Sequence, residues 1–324
     1  MAKFGPAAPT LLDLHPQTGD LRDAIHQGMR RAQKRLPTLL LYDERGSQLF
    51  DAITELPEYY PTRTELSIME SSMGEIASSI GPEASLIELG SGSSMKIRLL
   101  LERIPELAAY VPVDISRDHL MAAATKLAAD YPAVEVLPVC ADFNEPFQLP
   151  TPRIAPKRNV VYFPGSTIGN LDFGAAYKLL STVRRIAKKG GGALIGADLV
   201  KPEEILVPAY DDAQGVTADF NLNILTRLNR EFDANFDVKM FFHRAVWDAT
   251  RSRMEMQLVS RVAQTVQIDG EEFDLAAGEF ILTEYSHKYS LEVFENLAET
   301  AGFRVAKVWT DPRQWFSLQY LEVV

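Results

Sequence analysis

The sequence predicts an α/β fold: a mostly parallel sheet covered on both faces, with a smaller α+β domain inserted into it. Three observations carry this expectation. Apolar strand-like runs alternate with helical patterns between residues 84 and 198, which is how a chain builds parallel strands joined by crossover helices. A glycine turn, Gly90-Ser91-Gly92, follows the first of those runs. After Lys201 the alternation gives way to period-two patterns and an Asp269-Gly270 pair, a strong hairpin signal.

Taken in order, the first sixty residues read as partly helical ("LRDAIHQGMRRAQ") and reach an aromatic turn, "LPEYYPTRTE". Thr62 and Glu65 have capping-box spacing. Met69, Met73, Ile76 and Ile80 then form one apolar stripe on a helix of about 15 residues. "ASLIEL" is a strand and "SMKIRLLLERI" a helix. "YVPVDI" is a strand, and "RDHLMAAATKLAAD" is a helix with Ser116 as its expected cap. "VEVLPVC" and "NVVYFPG" are strands. "GAAYKLLSTVRRIAKKGG" is a helix ending in basic residues and glycine, and "GALIGADL" is a fifth strand. In the insertion, "ADFNLNILTRLNREF" is helical, "RMEMQLVSRVAQTVQIDGEEFDL" alternates, and "GEFILTEYSHKY" is a strand. "SLEVFENLAETAGF" returns to helix, and "RVAKVW" and "FSLQYLEVV" close the chain as an antiparallel pair. The expected division is 61–200 plus 287–324 for the sheet domain, and 1–60 plus 201–286 for the inserted one.

Composition narrows the function. The 324 residues carry 33 basic and 44 acidic side chains, a net charge of −11. Sequence-independent nucleic-acid binding needs many Lys/Arg–phosphate contacts, so a nucleic-acid partner is not expected. The single cysteine, Cys140, excludes an internal disulfide and suits a reducing compartment. The N-terminus lacks the apolar core of a signal peptide, and no apolar run is long enough to span a membrane. A cytoplasmic protein without a membrane partner is expected. Five scattered histidines and one cysteine offer no metal-ligand cluster.

The ends of the first three sheet strands carry the chemistry. A glycine turn lets the backbone approach a ligand, and the helix after it offers free N–H groups. The P-loop pattern is absent, and the dinucleotide fingerprint fails at its third position, where Met95 stands. Asp114 ends the second strand, where an acid can accept from both hydroxyls of a ribose. Asp142 and Phe143 end the third; a carboxylate can accept from an adenine amine while the ring packs on the purine. Each has a plainer alternative, as a turn cap or a core residue. Together they resemble the class I S-adenosylmethionine-dependent methyltransferases, with their Rossmann-like sheet, Glu-x-Gly-x-Gly turn and closing antiparallel strand.

Longer motifs narrow the resemblance. "LYDERGSQLFDAITELPEYYPTRTE", "ELGSGSSMK", "FPGSTIGNL", "DLVKPEEILVPAYDDAQGVTADFN" and "LTEYSHKYS" look like the L-histidine Nα-methyltransferase family of ergothioneine biosynthesis, over nearly the whole chain. The resemblance implies that Gly90, Ser91, Gly92, Lys96, Asp114, Asp142 and Phe143 hold S-adenosylmethionine. It implies that Tyr59, Gly165, Asn170 and Tyr210 surround the amine and carboxylate of an amino acid, with Tyr59 and Asn170 orienting the amine for catalysis. Glu284 and Ser286 would recognise an imidazole, Met256 would line its pocket, and the insertion with the N-terminal segment would be the substrate-binding domain. The residues make chemical sense alone: Glu284 and Ser286, two apart on a strand, share one face and can grip two ring nitrogens. Tyr285 and His287 depart from the family pattern; strand alternation turns them away from that face. The implied reaction is threefold methylation of histidine to hercynine by a monomer. The rival readings are an N-methyltransferase for another aromatic amine, of the tryptophan or tyrosine type, and a non-catalytic S-adenosylmethionine-binding protein. Met95 disfavours a nicotinamide dehydrogenase.

Overall fold

A computed structural model describes residues 9–14, 21–91, 95–104, 106–143, 145 and 147–324. In chain order, β1 (Leu12–Asp13) precedes α1 (Leu21–Met29), α2 (Glu44–Thr54) and the long α3 (Tyr60–Ile80). Then come β2 (Ala84–Leu89), α4 (Met95–Arg103), β3 (Ala109–Asp114), α5 (Arg117–Asp130) and β4 (Val139–Cys140). These are followed by β5 (Arg158–Phe163), α6 (Phe173–Ala187) and β6 (Gly192–Asp198). The next stretch holds α7 (Glu203–Tyr210), α8 (Val216–Glu231), β7 (Phe241–Asp248) and β8 (Arg253–Ser260). It continues with β9 (Gln264–Ile268), β10 (Glu271–Leu275) and β11 (Phe280–His287). The chain closes with α9 (Leu291–Thr300), β12 (Phe303–Thr310) and β13 (Phe316–Val323). Two compact units result. The first comprises Met1–Thr18, Arg63–Leu199 and Tyr289–Val324; the second comprises Gly19–Thr62 and Val200–Lys288. No helix among the described residues is long and apolar enough to cross a membrane.

The first unit is built on one sheet, in the order β1-β4-β3-β2-β5-β6-β13-β12. β2 pairs in parallel with β3 and β5, while β13 runs antiparallel to β6 and β12. Strand alternation divides its core into two layers. Ile87, Leu89, Val161 and Phe163 pack with Leu179, Val183 and Phe294 of α6 and α9. Leu86, Val160 and Tyr162 pack with Ile76, Ile97, Leu100 and Leu127 of α3, α4 and α5. The inserted segment leaves this unit after Leu199 and returns at Tyr289. Those two residues are bridged in parallel, and Tyr289 N–H donates to Asp198 O at 2.9 Å.

Four local expectations are corrected here. The N-terminal segment does not belong wholly with the insertion: Leu12 and Asp13 pair with Val139 and Cys140, because the outer edge of β4 offers backbone groups that a further strand can satisfy. β4 itself is two residues rather than seven, since Pro138 lacks an N–H for the ladder. α3 starts at Tyr60 and runs 21 residues, with Pro61 in its first turn, where the missing N–H costs nothing. Glu65 therefore lies within the helix and closes no capping box. Ser116 occupies the N-cap of α5, yet its side chain makes no capping bond; its N–H donates instead to Asp114 Oδ1 at 2.8 Å.

The second unit has an antiparallel sheet, β11-β8-β7, and a separate hairpin, β10-β9. Asp269 and Gly270 form the hairpin turn with φ of +49° and +84°, the left-handed pair that a two-residue turn of this twist requires. Arg30, just after α1, grips Glu271 beside the hairpin turn through two N–H donors, at 2.8 and 2.6 Å. α7 and β7 are elements that the sequence pattern did not reveal. β11 carries a register shift between Leu282 and Glu284, a bulge that re-aims the side chains beyond it.

Glu88, in the middle of the first unit's sheet, has a testable consequence. Burial pushes its carboxyl from the usual 4.5 up to about 7, against a hydrogen bond from Tyr110 and the charge of Lys96. The native state thus holds a proton that the unfolded chain releases. Its stabilising contribution is full below pH 4.5 and is lost as pH rises through 7. Glu88→Gln is expected to raise the Tm at pH 8 by about 5 °C. The gain should vanish at pH 5; an equal gain at both would place the cause elsewhere. Calorimetric scans at the two pH values decide it.

Candidate active site

The cofactor candidates of the first unit gather at the C-terminal edge of its sheet, where open α/β folds bind ligands. β2 ends at Leu89, and Gly90 turns with φ +71°, a conformation that a side chain resists. Gly90 N–H donates to Val113 O at 2.9 Å, and Ala141 N–H to Asp114 O at 3.1 Å, tying the three strand ends together. A Cβ on Gly90 would stand 3.7 Å from the Phe143 ring. That ring packs edge-on against Phe163, with centroids 5.8 Å apart. Ser91 is buried, and its hydroxyl has no hydrogen-bond partner among the described residues. Burial raises the Asp114 carboxyl above its ordinary range, opposed by the backbone N–H of Ser116. Asp142 is half-buried beside Phe143. Gly92 lies outside the described residues.

This donor set fits S-adenosylmethionine. The orphaned Ser91 hydroxyl offers a buried polar partner. Asp114 and Asp142 present acceptors to a ribose diol and an adenine amine, and Phe143 offers a ring face. Carboxylates at 114 and 142 suit a cationic, phosphate-free nucleoside and would repel a pyrophosphate.

Lys96 stands in the first turn of α4. Its ammonium pairs with Glu65 of α3, which is fully buried. Both carboxylate oxygens of Glu65 accept from Gly165 N–H, at 3.1 and 2.9 Å. Gly165 and Ser166 are left-handed, with φ of +75° and +56°, and Ser166 Oγ accepts from Asp198 N–H at 2.9 Å. The loop after β5 is thereby pinned at both residues, and it delivers Asn170 at the end of a 3₁₀ turn, Thr167–Asn170.

In the second unit, Glu284 and Ser286 of β11 share a face, and both are buried. Met256 stands directly opposite Glu284 in the β8–β11 register. Burial pushes the Glu284 carboxyl up to about 7, with Lys288 pulling it back. Tyr285 and His287 lie on the other face, as alternation requires: Arg35 and Arg253 sit over the Tyr285 ring at 4.4 and 4.8 Å, and His287 meets its edge. Tyr210 ends α7. Its hydroxyl accepts from Lys288 Nζ at 2.7 Å, and its carbonyl lies 2.7 Å from His243 Nε2. Tyr59 packs edge-on against Phe50, 6.2 Å away, in an aromatic cluster with Tyr42 and Phe220.

The structure thus brings together Gly90, Ser91, Lys96, Asp114, Asp142, Phe143 and Gly165, with Asn170 on the same loop as Gly165, within the first unit. Tyr59, Tyr210, Met256, Glu284 and Ser286 belong to the second. Sequence reasoning missed Lys288, although it extends the Glu284–Ser286 alternation by one step. It also missed the role of Glu65, whose partners lie 31 and 100 residues away, and the Tyr42–Phe50 cluster.

A family model described as "Histidine-specific methyltransferase, SAM-dependent" matches residues 21–323. The chain is similar to a histidine N-alpha-methyltransferase of Mycolicibacterium smegmatis, 44% identical over 92% of this chain and 93% of that one. A histidine N-alpha-methyltransferase of Mycobacterium tuberculosis is 40% identical, again over 92% and 93%. Among solved structures, the mitomycin 7-O-methyltransferase MmcR aligns with a TM-score of 0.50 at 12% identity, over 95% of this chain and 70% of that one; at that identity the likeness is one of fold.

Proposed function

This chain belongs to the histidine-specific, S-adenosylmethionine-dependent methyltransferases, and from that premise we propose that it trimethylates the α-amine of L-histidine to hercynine, opening ergothioneine biosynthesis. It is an amino-acid N-methyltransferase with the Rossmann-like class I fold, and it uses S-adenosylmethionine. The observation that carries the choice of substrate is the buried Glu284–Ser286 pair with Met256 beside it. A carboxylate and a hydroxyl on one strand face suit a ring with two nitrogens, and an apolar ring would leave them unpaired. We assign the protein to the cytoplasm, acting as a monomer on a free amino acid.

When bound, S-adenosylmethionine supplies a sulfonium-activated methyl group. In the first unit, Asp114 accepts from the ribose hydroxyls, Asp142 from the adenine amine, and Phe143 covers the base. Gly90 and Ser91 let the backbone come close, and Lys96 acts through Glu65 to hold Gly165. Asn170 accepts an N–H of the amine and so aims its lone pair. In the second unit, Glu284 accepts the ring N–H, Ser286 meets the other ring nitrogen, and Tyr210 meets the carboxylate. Tyr59 is assigned to the amine by the family likeness, and each methylation removes one N–H there.

The deciding experiment is mass spectrometry of the purified protein incubated with S-adenosylmethionine and each aromatic amino acid separately. A gain of three methyls on histidine alone is expected. A gain on tryptophan or tyrosine instead would overturn the substrate. Binding of S-adenosylmethionine with no product from any of them would point to a non-catalytic binding protein.

A further inference from the structure

Glu284, Ser286 and Lys288 occupy alternate positions along one extended segment, so their side chains share a face. Lys288 is only 3% exposed. Its Nζ donates to Ser286 Oγ at 2.9 Å and to Tyr210 OH at 2.7 Å. An ammonium has three donors and no acceptor, whereas a hydroxyl can do either. Both hydroxyl oxygens therefore accept from Lys288, and each must turn its own proton elsewhere. Glu284, as a carboxylate, only accepts.

We infer that Lys288 is a specificity-determining positioning residue: it fixes Ser286 and Tyr210 as hydrogen-bond donors beside the acceptor Glu284, so that the site reads a ring presenting one N–H and one bare nitrogen. This rests on the reading that Glu284 and Ser286 grip the substrate ring. A neutral imidazole offers one group of each kind. An indole offers its N–H to Glu284 but nothing to Ser286, and a thiophene offers nothing to either. With Lys288 in place, the Ser286 proton cannot turn away to suit such a ring, and an unmet buried donor is penalised. Tyr210, held the same way, presents its proton to a carboxylate. The charge of Lys288 also opposes the loss of the Glu284 carboxylate to burial.

The test compares L-histidine with 3-(2-thienyl)-L-alanine in four proteins: wild type, Lys288→Met, Ser286→Ala and the double variant. Lys288→Met is expected to raise the histidine KM about tenfold with kcat changed far less. The kcat/KM preference for histidine over the thienyl analogue should fall by about the same factor. In the Ser286→Ala background the same change should cost much less preference, because the two act through one hydroxyl. Lys288→Arg, a donor-only cation, should keep the preference. S-adenosylhomocysteine titrated by calorimetry reports whether the cofactor site is intact. If Lys288→Met does not fold, Lys288→Gln, whose amide can accept as well as donate, gives the same comparison. An unchanged preference, an equal fall in kcat for both substrates, or effects that add independently with Ser286→Ala would each overturn the inference. A wild-type protein with no preference for histidine would overturn the ring-grip reading itself, and this inference with it.

Discussion

Glu284→Gln is expected to raise the KM for histidine by about 100-fold, while S-adenosylhomocysteine binds as in wild type. The substitution keeps volume and shape, so what it removes is charge and acceptor capacity. A hydrogen bond to a charged group contributes roughly 1.5–3 kcal/mol. The glutamine amide can also turn an N–H toward the ring N–H, leaving two buried donors face to face. The cost falls on ring recognition, because Glu284 lies in the second unit and the cofactor candidates lie in the first. The effect should also depend on pH. Burial holds the Glu284 carboxyl near 7, partly countered by Lys288, the facing cation, with Tyr210 and Tyr42 as the neighbouring phenols. At pH 6 wild type has largely lost the carboxylate that distinguishes it from the variant, and at pH 8 it has regained it, so the ratio of the two KM values should widen with rising pH. Steady-state kinetics across that range, referred to the variant at each pH, remove the titration of histidine itself. A KM within twofold of wild type at pH 8 would remove Glu284 from ring recognition.

Glu65→Ala is expected to destabilise the protein by about 3–5 kcal/mol, the cost of leaving one charge of a buried pair without its partner. Lys96 would lose its carboxylate, and Gly165 N–H would lose both of its acceptors. A drop in Tm of about 10 °C follows from that loss in a protein of this size. The Gly165–Asn170 loop would lose one of its two anchors, so kcat should fall further than stability alone explains. Glu65→Met combined with Lys96→Met should recover much of the stability, because apolar replacement of a buried pair is often neutral. It should not recover kcat. Thermal denaturation of Glu65→Ala and of the double variant, with turnover at 20 °C below each Tm, separates the two effects. A Tm unchanged in Glu65→Ala would mean that the pair carries no stability.

The parallel strands and the closing antiparallel pair were legible because each is an apolar run bounded by turns, and burial on both faces leaves such a run little alternative. The strand-end residues were legible for the same reason: once the strands are placed, Gly90, Asp114 and Asp142 are at one edge. β1 escaped notice because two residues carry no period. α7 escaped because Pro208, in its last turn, reads as a helix breaker. Glu65 misled because capping-box spacing is a local pattern, and here tertiary partners override it. Thr283 is similar: its hydroxyl lies 2.6 Å from Asn221 Oδ1, and nothing in the run "FILTEYSH" marks the bulge that precedes Glu284. Lys288 was legible in principle, as the next step of an alternation already in use.

The bridge between Leu199 and Tyr289 has a consequence for inheritance. To the parent sheet, everything from 200 to 288 is a detour whose two ends are already tied. Closing that detour places little entropic demand on the sheet, and lengthening it adds only slowly to that demand. Substitutions, insertions or wholesale exchange within the detour therefore transmit little strain to the strands of the first unit's sheet. Tyr210, Met256, Glu284, Ser286 and Lys288 all lie inside it. On the proposed ring-grip reading, a descendant gene changes which ring is recognised by rewriting one contiguous stretch, and keeps the first unit's strand ends unedited.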